Sequence, residues 1–405
     1  AGAGAGAGAT ADLFDSVWAV LYDLDEKLLL DEDRKTGHLA EVKLTRKSSR
    51  RDAKALGAHT AVPDSYDGAR IAFPPTVADV TAVMDAASKG KTLHVSYFVQ
   101  LVLGMRELLA KRKSLVQDVP LDAAAGTSVF VVGDTHGQIF DLLTIFAHHG
   151  LPQPGKRVYV INGDYVDRGA DQVGVLSLVY TMKLAFPDAV FLNRGNHEVS
   201  RINARYGFEA AVREAYSAAV FDAVIDTFEL LPLWTVIGGK VLVVHGGLSQ
   251  FDDATLDELR ALPVAAADAL NKRRCKTRAD LLVEQALWSD PHDEPGYAPS
   301  PRGAGVLWGP DVTEAFCARN GLAMVVRSHE KEAAGYRFMH DGRVCTVFSA
   351  SYYTGKSDNK GAVLEFTDAS RAPTPHAFYA EVPPALAGTV ERDPARLRAA
   401  MRTQS

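Results

Sequence analysis

Between residues 128 and 366, short β-branched runs alternate with helical patterns, and most of the runs lead into a polar loop rich in glycine. The runs are Ser128–Val132, Val158–Ile161, Val190–Leu192, Val241–Val244, Met324–Val326, Cys345–Phe348 and Ala362–Phe366. Helices read from Ile139 to His148 and from Val173 to Phe186. This alternation predicts an α/β core. Open α/β sheets bind ligands in loops that follow the carboxyl ends of their strands, so those loops are where function is expected. Ahead of the core, Thr76 and Asp79 form a capping box for a helix whose Val77, Val80, Val83, Met84 and Ala87 share one face, and Gly90 stops it. A second helix carries Phe98, Leu101, Val102, Met105, Leu108 and Leu109 at helical spacing.

The loops carry a restricted chemistry. They are Gly133-Asp134-Thr135-His136-Gly137, Gly163-Asp164-Tyr165-Val166-Asp167-Arg168-Gly169, Arg194-Gly195-Asn196-His197-Glu198, Val244-His245-Gly246-Gly247 and Arg327-Ser328-His329-Glu330. Asp and His at i and i+2 beyond a strand end can face one ion, and carboxylate with imidazole suits Mn, Fe or Zn. The five loops together hold enough ligands for two metals. A shared carboxylate would set them roughly 3.5–4 Å apart, the separation used for in-line phosphoryl displacement. Each piece alone is weak, because a lone His is usually structural and an Asp-Gly pair is usually a turn. Of the twelve histidines, His38, His59, His148, His149, His292, His340 and His376 have no partner pattern and read as structural.

Composition narrows the alternatives. The chain has 405 residues, 47% of them hydrophobic and 23% charged, with a net charge of -6. That is enough for one large domain with extensions or two modest domains, and no global field points to nucleic acid or membrane. No apolar run reaches the length of a membrane span, and the N-terminus lacks the order of a signal peptide. Cys275, Cys317 and Cys345 are sparse and without CxxC spacing, so reduced thiols in an intracellular protein are expected. The opening AGAGAGAGAT is low in complexity and expected to be disordered. A helical pattern follows over Asp12–Leu24, with Phe14, Val17, Trp18 and Leu21. The cluster Lys43, Arg46, Lys47, Arg50, Arg51 and Lys54 reads as a solvated linker, with a nuclear-import or docking patch as the alternative.

The motifs GDTHG, GDYVDRG, RGNHE, HGG and RSHE stand in the order shown by the phosphoprotein phosphatase family of serine/threonine phosphatases, which this chain resembles from about Tyr66 to about Pro384. Trp288-Ser289-Asp290-Pro291, Arg302-Gly303, Trp308-Gly309-Pro310-Asp311 and Phe348-Ser349-Ala350-Ser351-Tyr352-Tyr353 extend the likeness. So do Tyr206-Gly207-Phe208-Glu209, Phe228–Leu233 and Gly309–Thr313, which bring it nearest to the type-5 branch. That branch carries tetratricopeptide repeats before its catalytic domain; the pattern is not found here, and about 75 residues is too short for three repeats with linkers, so either this member lacks them or they were cut away. No DxDxDG loop supports calcium control.

The resemblance implies a calcineurin-like metallophosphoesterase fold, a β-sandwich of mixed sheets flanked by helices. It divides the chain into a variable, partly disordered extension over 1–65, a catalytic domain over 66–390 and a tail over 391–405. It implies that Asp134 and His136 bind one metal, that Asp164 bridges two, and that Asn196, His245 and His329 bind the second. Arg168 and Arg302 would hold phosphoryl oxygens, with Asn196 and Tyr353 also at the phosphate and the attacking water. His197, paired with Asp167, would be the general acid. The implied reaction is hydrolysis of phosphoserine and phosphothreonine by a metal-bridging hydroxide in line with the leaving group. The expected cofactors are two divalent or trivalent ions, Mn²⁺ in vitro and Fe, Zn or Mg natively.

Phosphoprotein substrates and a regulatory protein are the expected partners, in cytoplasm or nucleus, with no nucleic acid and no membrane. The chain departs from the family in three places. Ser351-Tyr352 replaces Pro-Asn, so Tyr352 competes with Tyr353 for the site. Thr354 stands where a Cys often does, and Trp308 replaces a Phe or Tyr. Two other readings compete: a small-molecule phosphoesterase such as a dinucleoside polyphosphate hydrolase, and a scaffold without catalysis. The WSDP segment, the Arg302–Pro310 loop and the RSHE–SASYY ending argue against the first. The intact set of six ligand positions argues against the second.

Overall fold

The computed structural model describes residues 56–271 and 277–382. The expected helix over Asp12–Leu24, the basic stretch 43–54, Cys275 and the tail 391–405 lie outside the described residues. Fourteen strands run in chain order: β1 Val116–Val119, β2 Ser128–Val132, β3 Arg157–Ile161, β4 Val190–Leu192, β5 Trp234–Ile237, β6 Val241–Val244 and β7 Asp290–Pro291, then β8 Tyr297–Pro299, β9 Val306–Trp308, β10 Met324–Arg327, β11 Tyr336–Met339, β12 Val344–Val347, β13 Gly361–Phe366 and β14 Thr374–Phe378. They form a five-stranded sheet in the order β14-β13-β2-β3-β4, a six-stranded sheet in the order β1-β5-β6-β10-β12-β11 and a small sheet β7-β9-β8. Both large sheets are mixed. β2, β3 and β4 are parallel, as are β6, β10 and β12, while β13 and β11 pair antiparallel with their neighbours.

The two large sheets pack face to face, and the period-2 alternation of side chains shows it. Val129, Val131, Val158 and Val160 of the first sheet meet Val241, Val243, Val326 and Val347 of the second in one buried cluster. The intervening Phe130, Val132, Tyr159 and Ile161 point outward, under the helices Val95–Ala110, Ile139–His149 and Gln172–Ala185. On the far side, Val236, Leu242, Val244 and Val325 are covered by the helices Arg278–Trp288 and Pro310–Asn320. With both faces buried, the strands read as continuous β-branched runs.

A buried polar network ties the carboxyl ends of the two sheets together. Asn162, just past β3, donates to the Val244 carbonyl and to Ser328 Oγ, both at 2.9 Å. Asn193, just past β4, donates to Asn162 Oδ1 at 2.9 Å and to the Val243 carbonyl at 3.2 Å. Gln117 on β1 reaches the Leu192 carbonyl and Thr235 Oγ1. Satisfied networks of this kind hold geometry because any slip would leave buried polar atoms unpaired. The loops after β2, β3, β4, β6 and β10 therefore meet at one place.

Within the described residues the expected elements are present with shifts of one or two residues at their ends. The capping box at Thr76 and Asp79 is formed, and Gly90 lies just past the helix at φ 70°. Helices over Ser200–Tyr206, Phe208–Ala215, Ala218–Phe228, Arg278–Trp288 and Pro310–Asn320, and strands β1, β5, β7–β9, β11 and β14, were not among the expected elements. Among the described residues no helix is long and apolar enough to cross a membrane. Cys317 and Cys345 are free and buried.

Candidate active site

The loops after β2, β3 and β10 are built by backbone that side chains other than glycine rarely adopt. Of the nine non-glycine residues with positive φ among the described residues, five are His136, Asp164, Asp167, Arg168 and His329. Such conformations persist only where the surroundings over-determine them, and they gather at functional sites. Glycines allow the loops to approach: a Cβ on Gly163 would lie 2.4 Å from the Gly195 nitrogen, and one on Gly195 would lie 2.4 Å from the Asp164 nitrogen. Side chains at either position would push the β3 and β4 loops apart.

The loops bring Asp134, His136, Asp164, Asn196, His245 and His329 into one buried cluster. His136 Nε2 lies 3.8 Å from Asp134 Oδ2 and 3.6 Å from Asp164 Oδ2, and His245 Nε2 lies 3.4 Å from Asp164 Oδ2. Two groups place their ligand atoms within 4.8 Å of one another: His136, Asp164 and His197, and Asp164, His245 and His329. Asp164 belongs to both.

The donor chemistry fits cations. His136 Nδ1 sits 3.0 Å from the Val166 carbonyl and His245 Nδ1 sits 2.9 Å from the Asn162 carbonyl. A carbonyl can only accept, so both rings carry the proton on Nδ1 and turn a bare Nε2 lone pair inward, as metal-bound imidazoles do. His245 Nε2 then faces Asn196 Oδ1 at 2.9 Å. Two lone pairs at that distance repel unless a cation lies between or beside them. Asn196 Nδ2 and His329 Nε2 are buried with no hydrogen-bond partner, a costly state for polar atoms. Burial pushes Asp134 up to about 7 and Asp164 well above the usual carboxylate range. It pushes His245 down to about 3, and His136 and His329 well below the usual imidazole range. The imidazoles are therefore neutral and ligand-ready, and the carboxylates need positive charge to ionise comfortably.

The expected acid pair is adjacent. His197 Nδ1 lies 2.8 Å from Asp167 Oδ2, and Asp167 also accepts from Asn203 Nδ2 at 2.9 Å and the Phe208 backbone N–H at 3.0 Å. Arg168 lies with its guanidinium carbon 4.1 Å from the Tyr206 ring centroid. Arg302 donates through Nε to Asp290 Oδ2 at 2.6 Å. Tyr353 stacks against the cluster, its ring 5.1 Å from that of His136 and 5.0 Å from that of Phe348. Tyr352, the rival for that place, faces solvent instead.

With this geometry in view, the comparisons with known proteins are specific. The family model for calcineurin-like phosphoesterases matches residues 127–332. A solved protein serine/threonine phosphatase from Saccharomyces cerevisiae, described as similar to human phosphatase PP5, is 33% identical, with 73% of this chain and 93% of that chain covered and a TM-score of 0.65. The chain belongs to the calcineurin-like phosphoesterase family, among its serine/threonine protein phosphatases. Serine/threonine-protein phosphatase T of Aspergillus oryzae is 41% identical over 304 residues, covering 75% of this chain and 61% of that protein. Serine/threonine-protein phosphatase 5 of Arabidopsis thaliana is 40% identical over 320 residues, covering 79% of this chain and 57% of that protein. The chain thus spans about three fifths of the length of the curated relatives it matches.

Other residues of this phosphoesterase support the site without having been singled out for it in the sequence. Buried Glu198 accepts from the backbone N–H groups of Asp164, Tyr165 and Gly195 at 2.8–2.9 Å, clamping the β3 loop to the β4 loop. Tyr206 packs between Arg168 and His197, with its ring 5.3 Å from the imidazole. Asp290 receives Arg302 on one oxygen and Arg327 Nη2 on the other at 2.7 Å, and Arg327 continues to Glu330 at 2.7 Å. Their motifs were visible in the sequence, but only the long-range contacts reveal what they do. Of the histidines read as structural, His38 lies outside the described residues. His340 bridges Thr313 Oγ1 and the His292 carbonyl, while His148 and His376 pair with Glu381 and Glu365.

Proposed function

We propose that this protein is a metal-dependent phosphatase of phosphoserine and phosphothreonine in proteins. The observation that carries the reading is a carboxylate-oriented imidazole, His197 on Asp167, in contact with a cluster in which two overlapping groups of ligand atoms, one of them including His197, share Asp164. Asp134, His136, Asp164, Asn196, His245 and His329 would hold the metals. When bound, a pair of cations supplies Lewis-acid activation of water and neutralises phosphate charge.

The chain's own residues do the rest. Arg168 and Arg302 present planar forks that match phosphoryl oxygens, and each is pre-aimed by its neighbour, Tyr206 or Asp290. Asn196 and Tyr353 border the same space. A serine or threonine alkoxide is a poor leaving group and must receive a proton as the bond to phosphorus breaks. His197 donates it. Asp167 accepts from Nδ1, which directs the ring and favours its protonated form, while Asn203 and Phe208 hold Asp167 in place. Burial of the loops excludes bulk water, so these charges act at low dielectric.

Mn, Fe and Zn suit the mixed carboxylate and imidazole set, and phosphoproteins in cytoplasm or nucleus are the proposed substrates. The test is phosphate release from a phosphothreonine peptide by chelator-stripped protein with and without Mn²⁺. Turnover restored by Mn²⁺ supports the reading. Folded, metal-loaded protein without turnover on the peptide sinks it.

A further inference from the structure

Four large apolar or aromatic side chains stand exposed among the described residues, and two of them, Tyr352 and Tyr379, are each 40% exposed. They are stacked on each other, with ring centroids 4.6 Å apart and planes 21° from parallel. The Lys360 Nζ lies 5.8 Å from the Tyr379 ring centroid, and the exposed part of the stacked pair can offer a platform for a third planar group.

The backbone holds this platform rigidly. Tyr352 sits at φ 48° and ψ 43°, a left-handed conformation that residues other than glycine and asparagine seldom take. Thr354 is left-handed as well, at φ 58°. The loop stays in this shape because Asn359 grips it: its carbonyl accepts from the Tyr352 N–H, its Oδ1 accepts from the Tyr353 N–H, and its Nδ2 donates to the Ala350 carbonyl. From below, buried Asp141 accepts from the Ser351 N–H at 2.8 Å. Tyr379 is anchored by its hydroxyl on the Asp358 carbonyl, and the Ala380 N–H binds Ser351 Oγ. None of these contacts needs the exposed faces of the two rings.

The platform adjoins the site. Tyr352 is the chain neighbour of Tyr353, whose ring packs 5.1 Å from His136. A polypeptide that delivers a phosphorylated side chain to the space beside His136 and Tyr353 has this rim within reach of its flanking residues. We propose that Tyr352 and Tyr379 form a specificity-determining rim that stacks on an aromatic side chain flanking the phosphorylated residue of the substrate. This rests on the protein-phosphatase reading above.

The test uses the full chain loaded with Mn²⁺. Its substrates are phosphothreonine peptides in which tryptophan is walked through the flanking positions of an alanine background, and p-nitrophenyl phosphate. One tryptophan position is expected to raise kcat/KM about fivefold over alanine, through KM, as one aromatic stacking contact would. The double variant Tyr352→Asn, Tyr379→Ala should lose that preference while its kcat/KM on p-nitrophenyl phosphate stays within about twofold. Tyr352→Phe should keep the preference. Peptide turnover with no tryptophan preference overturns the inference, as does a preference that survives the double variant or a parallel loss on p-nitrophenyl phosphate. Wild-type turnover of p-nitrophenyl phosphate without any peptide turnover overturns the protein-phosphatase reading and this inference with it.

Discussion

The two large sheets contribute unequally to the site. The five-stranded sheet delivers Asp134, His136, Asp164, Asp167, Arg168, Asn196 and His197 from three successive parallel strands. The six-stranded sheet delivers His245 and His329 from the ends of β6 and β10, and Tyr353 from the loop after β12. Four of the five left-handed site residues lie on the first sheet's loops, which are clamped from within by Glu198. The second sheet is braced by charge instead: Arg327, wholly buried, links Asp290, Glu330 and the Gly246 carbonyl, and through Asp290 it steadies Arg302. The first sheet thus concentrates the proposed acid and most of the proposed ligands in its loops, and the second adds proposed ligands and, through an ion network, the proposed phosphate contact Arg302. Backbone strain fixes direction within one loop, whereas a charge network can align groups from separate segments.

If that division is right, removing the acid on the first sheet should cost most. His197→Asn should lower kcat on a phosphothreonine peptide by about 10³-fold. The loss on p-nitrophenyl phosphate, whose leaving group needs no proton, should be much smaller. Equal losses on both substrates, read by steady-state kinetics, would break the assignment.

The seam between the sheets should respond to pH. Asp141, on the helix that follows β2, holds the Ser351 loop that follows β12, and burial raises it from 3.8 to about 6. A carboxyl raised on folding contributes stability that is fully present below about 3.8 and lost as pH rises through about 6. Relative to wild type, Asp141→Asn should therefore gain about 3 kcal/mol between pH 4 and pH 7 in urea unfolding. A pH-independent difference would show that Asp141 does not titrate as the seam requires.

On the second sheet, Asp290→Asn removes the anion shared by Arg302 and Arg327. It should raise KM and the inhibition constant of inorganic phosphate about 30-fold, with kcat less affected. A kcat effect without a KM effect would move Asp290 from phosphate positioning to chemistry. The smallest effect is expected for Glu198→Gln, which keeps the shape but weakens the clamp. Metal retained after dialysis, read by elemental analysis, should reflect about tenfold weaker binding. Unchanged metal content would confine Glu198 to loop folding.

Much of this was legible along the chain. The runs ending at Val132, Ile161, Leu192, Val244 and Val326 mark strands because the period of a doubly buried strand is local, and the Gly, Asp and His that follow are read in place. The strand at Trp234–Ile237 escaped although Gly238-Gly239 marks its hairpin with β6, and Thr374–Phe378 escaped because Pro375 within the run reads against a strand. They are strands because their neighbours need partners. Tyr206 and Asp290 lay inside recognised motifs, but what each touches is set by segments far away in the chain.

The sequence by itself therefore determined which side chains are available and which end of each strand carries them, since both follow from residue type and from periods of two and 3.6 residues. Only the tertiary structure decided that Asp164 serves both ligand groups, that Tyr353 faces the site while Tyr352 faces solvent, and that Arg302 leans on Asp290. Those outcomes depend on how two sheets and a left-handed turn are fixed against one another, and that is set by contacts between residues more than a hundred positions apart, such as Ser351 with Asp141 and His329 with Asp134.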